Sequence, residues 1–285
     1  QTREDRFIER VKREFPLHEI LRSNPILQHL RSIKEPEEIE LLQKACNITE
    51  KGVRRLLSFV KPGVWEYEIE AELMHEFLRN RSKGFAYTPI IASGENANVL
   101  HYIANNMQCK DGDVILLDVG AEYANYSSDL TRMIPVNGKF TARQKEIYNA
   151  VLDMKNFATS LLVPGNNWYD YHKECGEFYT SKFLELGLLD KADVQNQDKN
   201  WPAYKKYMMH GTSHHLGLDT HDYGILKDKF VENMVFTVEP GIYLPAEGFG
   251  VRIEDDMVIQ NSGPAFNLMK NIPIEVEEIE ELMNS

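Results

Sequence analysis

Two stretches of sequence decide the fold: Val-Ile-Leu-Leu-Asp-Val-Gly at residues 114–120 and Val-Phe-Thr-Val-Glu-Pro-Gly at residues 235–241. Each begins with four mainly apolar residues, which is typical of a buried strand. A carboxylate follows in each stretch, Asp118 in the first and Glu239 in the second, and then one further residue and a glycine. The shared pattern indicates that the two strands are equivalent parts of one repeated unit.

The similarity extends outward from both strands. Pro62-Gly63 aligns with Pro164-Gly165 at an offset of 102, and each pair ends a segment with helical spacing. Four more residues match. His101 lies 17 residues before Asp118, and His221 lies 18 residues before Glu239. Each half also has a second carboxylate after the strand, Asp129 in the first and Glu254 in the second. Chance could account for the similarity of the helices alone, but the matched spacing of histidines and carboxylates favours duplication.

A duplicated half made of two helices and antiparallel strands predicts an α+β fold with a pseudo-twofold axis. Apolar residues recur at helical spacing over 37–60, 66–81, 141–162 and 169–186. The segment 127–136 is expected to pair antiparallel with 114–119, whereas the polar stretch 190–200 is expected to be a loop. Equivalent residues would then face each other across the axis, with a shared site between the halves.

Composition limits the function classes. The chain has 285 residues, of which 42% are hydrophobic, enough for a large buried core. A net charge of −12 disfavours nucleic acid as a partner, and no apolar run approaches the roughly 20 residues that span a bilayer. The three scattered cysteines are odd in number and predict reduced thiols in a cytoplasmic protein. Residues 1–35 are interrupted by prolines and are expected to form a linker, whereas 36–285 form the main domain.

The carboxylates at the strand ends require partners. A buried carboxylate without a partner is costly, and a single one would ordinarily pair with an arginine or with backbone amides. Here four such groups occur in duplicate, and only Arg132 and Arg252 lie in the same segments. Four carboxylates and an imidazole are an oxygen-rich ligand set that suits two hard or borderline divalent cations, as in a hydrolase site.

A histidine cluster at residues 210–222 supplies the imidazole. Four of the nine histidines of the chain fall within its first twelve residues, as His210, His214, His215 and His221. An isolated histidine is usually a hydrogen-bonded core or surface group, but this density predicts at least one metal ligand and others that handle protons. His172 has no such neighbours, and no role is expected for it.

Five blocks together resemble the metallopeptidases of the pita-bread fold, over roughly residues 31–270. They are Leu-Asp-Val-Gly at 117–120, Ser-Asp-Leu-Thr-Arg at 128–132, the 210–222 cluster, Thr-Val-Glu-Pro-Gly-Ile-Tyr at 237–243 and Val-Arg-Ile-Glu-Asp-Asp at 251–256. Within that group the 213–222 and 250–255 segments are most similar to aminopeptidase P, which removes the first residue from peptides with proline in second position. Prolidase, which cuts only Xaa-Pro dipeptides, is the alternative.

The resemblance implies a role for each matching residue. Asp118 would bind one metal and His214 with Glu239 the other, while Asp129 and Glu254 would bridge them. A bridging hydroxide would attack the peptide carbonyl, and Glu239 would pass the proton to the leaving proline nitrogen. His221 would donate to the oxyanion. The substrate pocket would also be lined by His101, His210 and Tyr243. Arg252 would hold Asp129 or Glu254 in place.

The resemblance also implies two divalent metal ions. Manganese is the expected metal, and cobalt, iron and zinc suit the same ligands. Peptides with proline in second position would be the substrates, and neither nucleic acid nor membrane is an expected partner. Aminopeptidase P and prolidase carry a smaller domain before the catalytic one, and residues 1–35 resemble its tail and linker. Homo-oligomerisation is left open by the sequence, and so is a rival in which the same pocket binds peptide or protein without catalysis.

Overall fold

The computed structural model describes residues 1–285. Its eight α-helices are α1 Arg3–Glu14, α2 Asn24–Ser32, α3 Pro36–Phe59, α4 Glu66–Arg79, α5 Ala142–Ser160, α6 Trp168–Glu185, α7 Lys191–Gln195 and α8 Val276–Met283. Its ten strands are β1 Ile90–Ser93, β2 Val114–Val119, β3 Glu122–Tyr123, β4 Tyr126–Ser127, β5 Leu130–Pro135, β6 Val235–Val238, β7 Gly241–Leu244, β8 Phe249–Arg252, β9 Asp255–Val258 and β10 Phe266–Asn267. None of the helices has both the length and the apolar character needed to cross a membrane.

The four predicted helices are α3, α4, α5 and α6, and they form two consecutive pairs. The turn inside each pair contains a glycine with positive φ, Gly63 at 95° and Gly165 at 91°, a backbone conformation that suits glycine best. Helix α5 begins with the expected capping box, in which Thr141 Oγ1 accepts from the Gln144 amide and Gln144 Oε1 accepts from the Thr141 amide.

Two antiparallel sheets carry the repeated strands. In the first, β2 lies between β1 and β5, and Asp118 is opposite Thr131. In the second, β9 lies between β6 and β10, and Val238 is opposite Asp255. In the first sheet Asp118 is the second-last residue of β2 and Asp129 directly precedes β5. In the second sheet Glu239 directly follows β6 and Glu254 directly precedes β9. Antiparallel pairing therefore brings Asp118 near Asp129 and Glu239 near Glu254. The predicted duplication is present in the structure.

The two halves meet directly at these strand ends. Thr131 in β5 forms an antiparallel bridge with Glu254, and the Glu254 amide donates to the Thr131 carbonyl at 3.1 Å. The carboxylates of both halves therefore converge on one place, as the duplication predicted.

The structure differs from the prediction in two places. The stretch 190–200 contains a short helix, α7, which is capped by Asp190, whose side chain accepts from the Asp193 amide. Strand β7 forms a hairpin with β8, and the sequence pattern had not indicated it. Helix α1 is exposed along its length, but Lys34, near the end of the predicted linker, is buried and its amide donates to the Asn233 carbonyl at 2.9 Å.

Candidate metal centre and substrate pocket

A cavity of about 700 Å³ opens between the two halves. With one exception, Tyr243, every residue predicted for the site lines it: His101, Asp118, Asp129, His210, His214, His221, Glu239, Arg252 and Glu254. Residues more than 150 positions apart in the chain thus share one pocket, whose volume is in the range usual for small-ligand sites.

The glycine that follows each strand carboxylate explains how closely the strands approach. A Cβ on Gly120 would lie 1.8 Å from the Ser128 carbonyl oxygen, and a Cβ on Gly241 would lie 2.9 Å from the Val251 carbonyl oxygen. Both returning strands therefore pass through space that a side chain would occupy. This close approach places the second carboxylate of each half beside the first.

Asp118 is the only one of the four carboxylates with an arginine or lysine partner. Arg252 Nη2 donates to its Oδ2 at 2.5 Å, and Tyr87 donates to its Oδ1 at 2.6 Å. Burial raises the pKa of Asp118, and the attraction of Arg252 offsets only part of that effect. Arg252 was expected to hold Asp129 or Glu254; in the structure it contacts Asp118 instead and reaches Glu254 only through Thr131.

Asp129, His214 and Glu254 form the tightest group, with one ligand atom of each within 4.8 Å of the others. His214 Nδ1 lies 2.9 Å from the His215 carbonyl, so this nitrogen carries the hydrogen in the neutral ring and Nε2 keeps its lone pair. Nε2 faces the acidic pair, 3.3 Å from Asp129 Oδ2 and 3.8 Å from Glu239 Oε1. That tautomer and orientation are those of a metal-binding histidine.

The side chain of Glu254 is held in place without a direct arginine or lysine partner. Its Oε2 accepts from Thr131 Oγ1 at 2.7 Å, and Arg252 Nε donates to the same hydroxyl at 3.2 Å. Its backbone carbonyl accepts from Arg132 Nη1 at 2.7 Å, and Arg132 also forms a buried ion pair with Asp255 at 2.6 Å. Arg132 therefore forms its ion pair with Asp255, and the Glu254 carboxylate has no ion-pair partner.

Burial, with the repulsion of neighbouring carboxylates, raises the pKa of both Glu239 and Glu254. Burial, followed by the charges of Asp129, Glu239 and Asp118, raises the pKa of Glu254 well above its usual value. Burial likewise raises the pKa of Glu239 to about 7. For His214 burial alone would lower the pKa, but the attraction of Asp129 and Glu239 outweighs it and raises the pKa to about 9.

The other histidines lie on the walls of the pocket. His210 Nδ1 lies 2.8 Å from the Gly211 carbonyl, and its Nε2 accepts from Tyr243, which in turn accepts from Arg252 Nη1 at 2.8 Å. Burial lowers the pKa of His210 to about 3, so this ring is neutral. The His221 ring lies 4.2 Å from that of His214, and burial followed by the His214 charge lowers the pKa of His221. His101 is exposed at the rim.

These donors fit divalent metal ions. Asp129, Glu239 and Glu254 have no arginine or lysine partner, and the one imidazole among them presents an Nε2 whose lone pair is free when the ring is neutral. Cations placed among the carboxylates would offset the cost of burying these charges and the repulsion between them. The residues therefore satisfy the chemical requirement that the sequence had indicated.

Sequence reasoning did not identify three groups around the centre. The Tyr87 hydroxyl oxygen lies 2.6 Å from Asp118 Oδ1 and 2.6 Å from Asp129 Oδ1, and its one hydrogen can be donated to either carboxylate but not to both. Thr131 supports Glu254, and Asp256 Oδ2 accepts from the Asp129 amide at 3.0 Å. The duplicated pattern gives no signal for Tyr87, because its position depends on the tertiary fold alone.

Comparisons with known proteins agree with this geometry. The family model described as metallopeptidase family M24 matches residues 40–261. The chain is 42% identical to a Xaa-Pro aminopeptidase of Haemophilus influenzae, over 93% of this chain and 64% of the relative. It is 40% identical to a Xaa-Pro aminopeptidase of Escherichia coli, over 91% of this chain and 61% of the relative. The chain thus spans less than two thirds of the length of either relative.

A solved structure of zinc-substituted Escherichia coli aminopeptidase P in complex with product superposes with a TM-score of 0.86 at 38% identity, covering 93% of this chain and 62% of that one. The similarity confirms the predicted α+β fold, in which two equivalent halves enclose the site. The chain therefore belongs to metallopeptidase family M24 and adopts its pita-bread fold.

Proposed function

We propose that the protein is a metal-dependent aminopeptidase that releases the first residue from peptides with proline in second position. The observation that carries the proposal is the single cavity in which Asp118, Asp129, His214, Glu239 and Glu254 converge with only one arginine among them. The resemblance to Xaa-Pro aminopeptidases supports the choice of substrate.

Two divalent cations, with manganese as the first candidate, would be held by these five side chains. Asp118 would serve one cation, His214 and Glu239 the other, and Asp129 and Glu254 both. When bound, the cations would polarise the peptide carbonyl and activate a water for attack. Zinc substitution in the Escherichia coli relative is compatible with ligands that accept more than one metal.

The side chains of the pocket would orient the peptide and move its protons. Glu239 lies 3.8 Å from both His210 and His214, and a carboxylate at this position can accept and return a proton. It would carry the proton to the leaving proline nitrogen. His221 would donate to the oxyanion, and the neutral His210, oriented by Tyr243, would contact the proline ring. His101 would contact the peptide at the rim.

The test is turnover of an Xaa-Pro-Yaa tripeptide, an Xaa-Pro dipeptide and a Met-Ala peptide by manganese-loaded protein, with products identified by mass spectrometry. Cleavage of the tripeptide before proline supports the proposal. Cleavage of the dipeptide alone would favour prolidase activity at the same site, and cleavage of Met-Ala alone would refute the proline specificity.

A binding module without catalysis is the second candidate that the sequence left open. Metal content separates the two, because the aminopeptidase needs about two divalent ions per chain whereas a binder needs none. Protein that holds no metal after equilibration with manganese and dialysis would refute the metal assignment.

For the cellular site we propose the cytoplasm, since the three cysteines are free thiols buried in the core.

A further inference from the structure

One wall of the pocket is an irregular segment, residues 94–107, which is defined here as the rim loop. It contributes Leu100, His101 and Ile103 to the cavity. After its short 3₁₀ turn the loop has little regular hydrogen bonding of its own, apart from the Val99 and Tyr102 amides, which donate to carbonyls three residues earlier. The ring of His101 forms no hydrogen bond with the protein. Its position therefore depends on the backbone that carries it.

Glu66, the first residue of α4, lies behind this loop and is completely buried. Its Oε1 accepts from the Ser93 amide at 2.9 Å and from Asn96 Nδ2 at 3.1 Å. Its Oε2 accepts from the Tyr102 hydroxyl at 2.8 Å and from the Met107 amide at 2.9 Å. The carboxylate thus joins the start, the middle and the end of the rim loop at one point.

All four donors are neutral groups, and three of them belong to the loop itself. Both oxygens must act as acceptors, which only a carboxylate can provide. The backbone adds one more connection between the same residues, because the Glu66 amide donates to the Met107 carbonyl at 3.0 Å. The carboxylate is buried with these neutral partners and no cation, a cost that an apolar residue would avoid, and its four hydrogen bonds fix the geometry of the segment around it.

We infer that Glu66 is a positioning residue for substrate binding, which holds the rim loop so that His101, Leu100 and Ile103 face the peptide. The part of the inference that concerns peptide binding rests on the proposed function. Glu66 touches neither the metal ligands nor the cavity, so it acts through the loop and through the adjoining end of β1. Replacing it should weaken peptide binding and leave metal binding unchanged.

The substitution Glu66→Gln isolates this role, because the side chain keeps its length and shape while one oxygen becomes an NH₂ group. That NH₂ group would face two donors, so one pair of hydrogen bonds is lost whichever way the amide is turned. Tyr102→Phe is a milder second variant that removes one of the four donors and leaves the ring. The matched control is Glu72→Gln on the same helix, where the carboxylate pairs with Arg55 and not with the loop.

Hydrogen exchange read by mass spectrometry tests the inference without any activity. We expect faster exchange of residues 93–107 in Glu66→Gln, a smaller increase in the same residues in Tyr102→Phe, and none in Glu72→Gln. Unchanged exchange in the loop would overturn the inference. So would an equal increase in the distant strands β6 and β9, because that result indicates general destabilisation.

Turnover of a Xaa-Pro tripeptide and bound manganese give the second readout. We expect kcat/KM to fall about tenfold in Glu66→Gln, mainly through KM, with the same metal content as the unsubstituted protein. A fall in kcat with unchanged KM would refute the positioning role. If the unsubstituted protein cleaved no proline peptide, the proposed function would fail, but the exchange measurement would still decide whether Glu66 holds the loop.

Discussion

The replacement Gly120→Ala should disrupt the metal centre, although it adds only one methyl group at a residue that is neither a proposed metal ligand nor part of the cavity wall. The new Cβ would lie 1.8 Å from the Ser128 carbonyl oxygen and 2.7 Å from its carbonyl carbon. To bring the new Cβ and the Ser128 carbonyl oxygen to a tight contact of about 3.2 Å, the two backbone segments must move apart by about 1.4 Å. Both sides of the contact are backbone, so no flexible side chain can absorb the movement.

The movement would act on the ligands themselves. Gly120 is two residues after Asp118, Ser128 directly precedes Asp129, and Tyr87 joins these two carboxylates at 2.6 Å on each side. Overpacking of this kind costs about 1–3 kcal/mol of stability. A displacement of about 1 Å in a reacting group can lower the rate about 100-fold. We therefore expect Gly120→Ala to fold with reduced stability, to bind manganese more weakly and to lose about 100-fold in kcat/KM.

Two further substitutions make the experiment quantitative. Gly241→Ala is the equivalent change in the second half, where the Cβ would lie 2.9 Å from the Val251 carbonyl oxygen, so a shift of about 0.3 Å restores the contact and a smaller loss is expected. Gly165→Ala is the control for backbone strain, since its φ is 91° but nothing lies within 4 Å of the new atom. It should lose about 1 kcal/mol of stability and no activity.

The assays are the urea midpoint, manganese retained after dialysis and tripeptide turnover, measured on all three variants. The expected order of activity loss is Gly120→Ala, then Gly241→Ala, then Gly165→Ala. Full metal affinity and full turnover in folded Gly120→Ala would refute the reasoning, because the spacing of the carboxylates would then not depend on the close approach of the strands.

Three other predictions follow from the same centre. Glu254→Ala should remove nearly all activity and bound metal while His172→Ala changes little; normal turnover by the Glu254 variant would contradict the two-metal assignment. In metal-free protein the raised pKa of Glu239, about 7, means that the folded state binds the extra proton, so its contribution to stability is lost as pH rises from about 4.5 to 7. Urea midpoints at pH 5 and 7.5 should therefore differ less for Glu239→Gln than for the unsubstituted protein, and an equal pH dependence would argue against the shift. Arg132→Met should cost about 3–5 kcal/mol in urea, because it leaves buried Asp255 with one cation fewer, and a loss below about 1 kcal/mol would show that the ion pair is dispensable.

Much of the fold was predictable from the sequence because its signals are local. The helical spacing on both sides of the Pro-Gly turns located α3 to α6, and the repeated strand, carboxylate and glycine pattern located β2 and β6. Antiparallel pairing then required the second carboxylate of each half to return beside the first. These inferences needed only periodicity and the fact that buried charges need partners.

The supporting groups could not be predicted in the same way. Tyr87 lies in a segment without repeat or motif, and its hydrogen bonds to both aspartates exist only after β2 and β5 are paired. Glu66 has the sequence context of an ordinary first residue of a helix, and its four partners come from a loop with no periodic pattern. The partner of Arg252 depends on side-chain geometry across the two halves, which spacing along the chain does not encode.

The division of the metal ligands between the halves has a consequence for the lifetime of the protein. Asp118 and Asp129 come from the first half, whereas His214, Glu239 and Glu254 come from the second. Any cation held by both sets binds only while the halves are docked, so its binding free energy opposes their separation. If the proposed cations are bound, scarcity of metal would let the halves open more often and expose the chain to proteolysis, so that the abundance of the protein would follow the supply of metal.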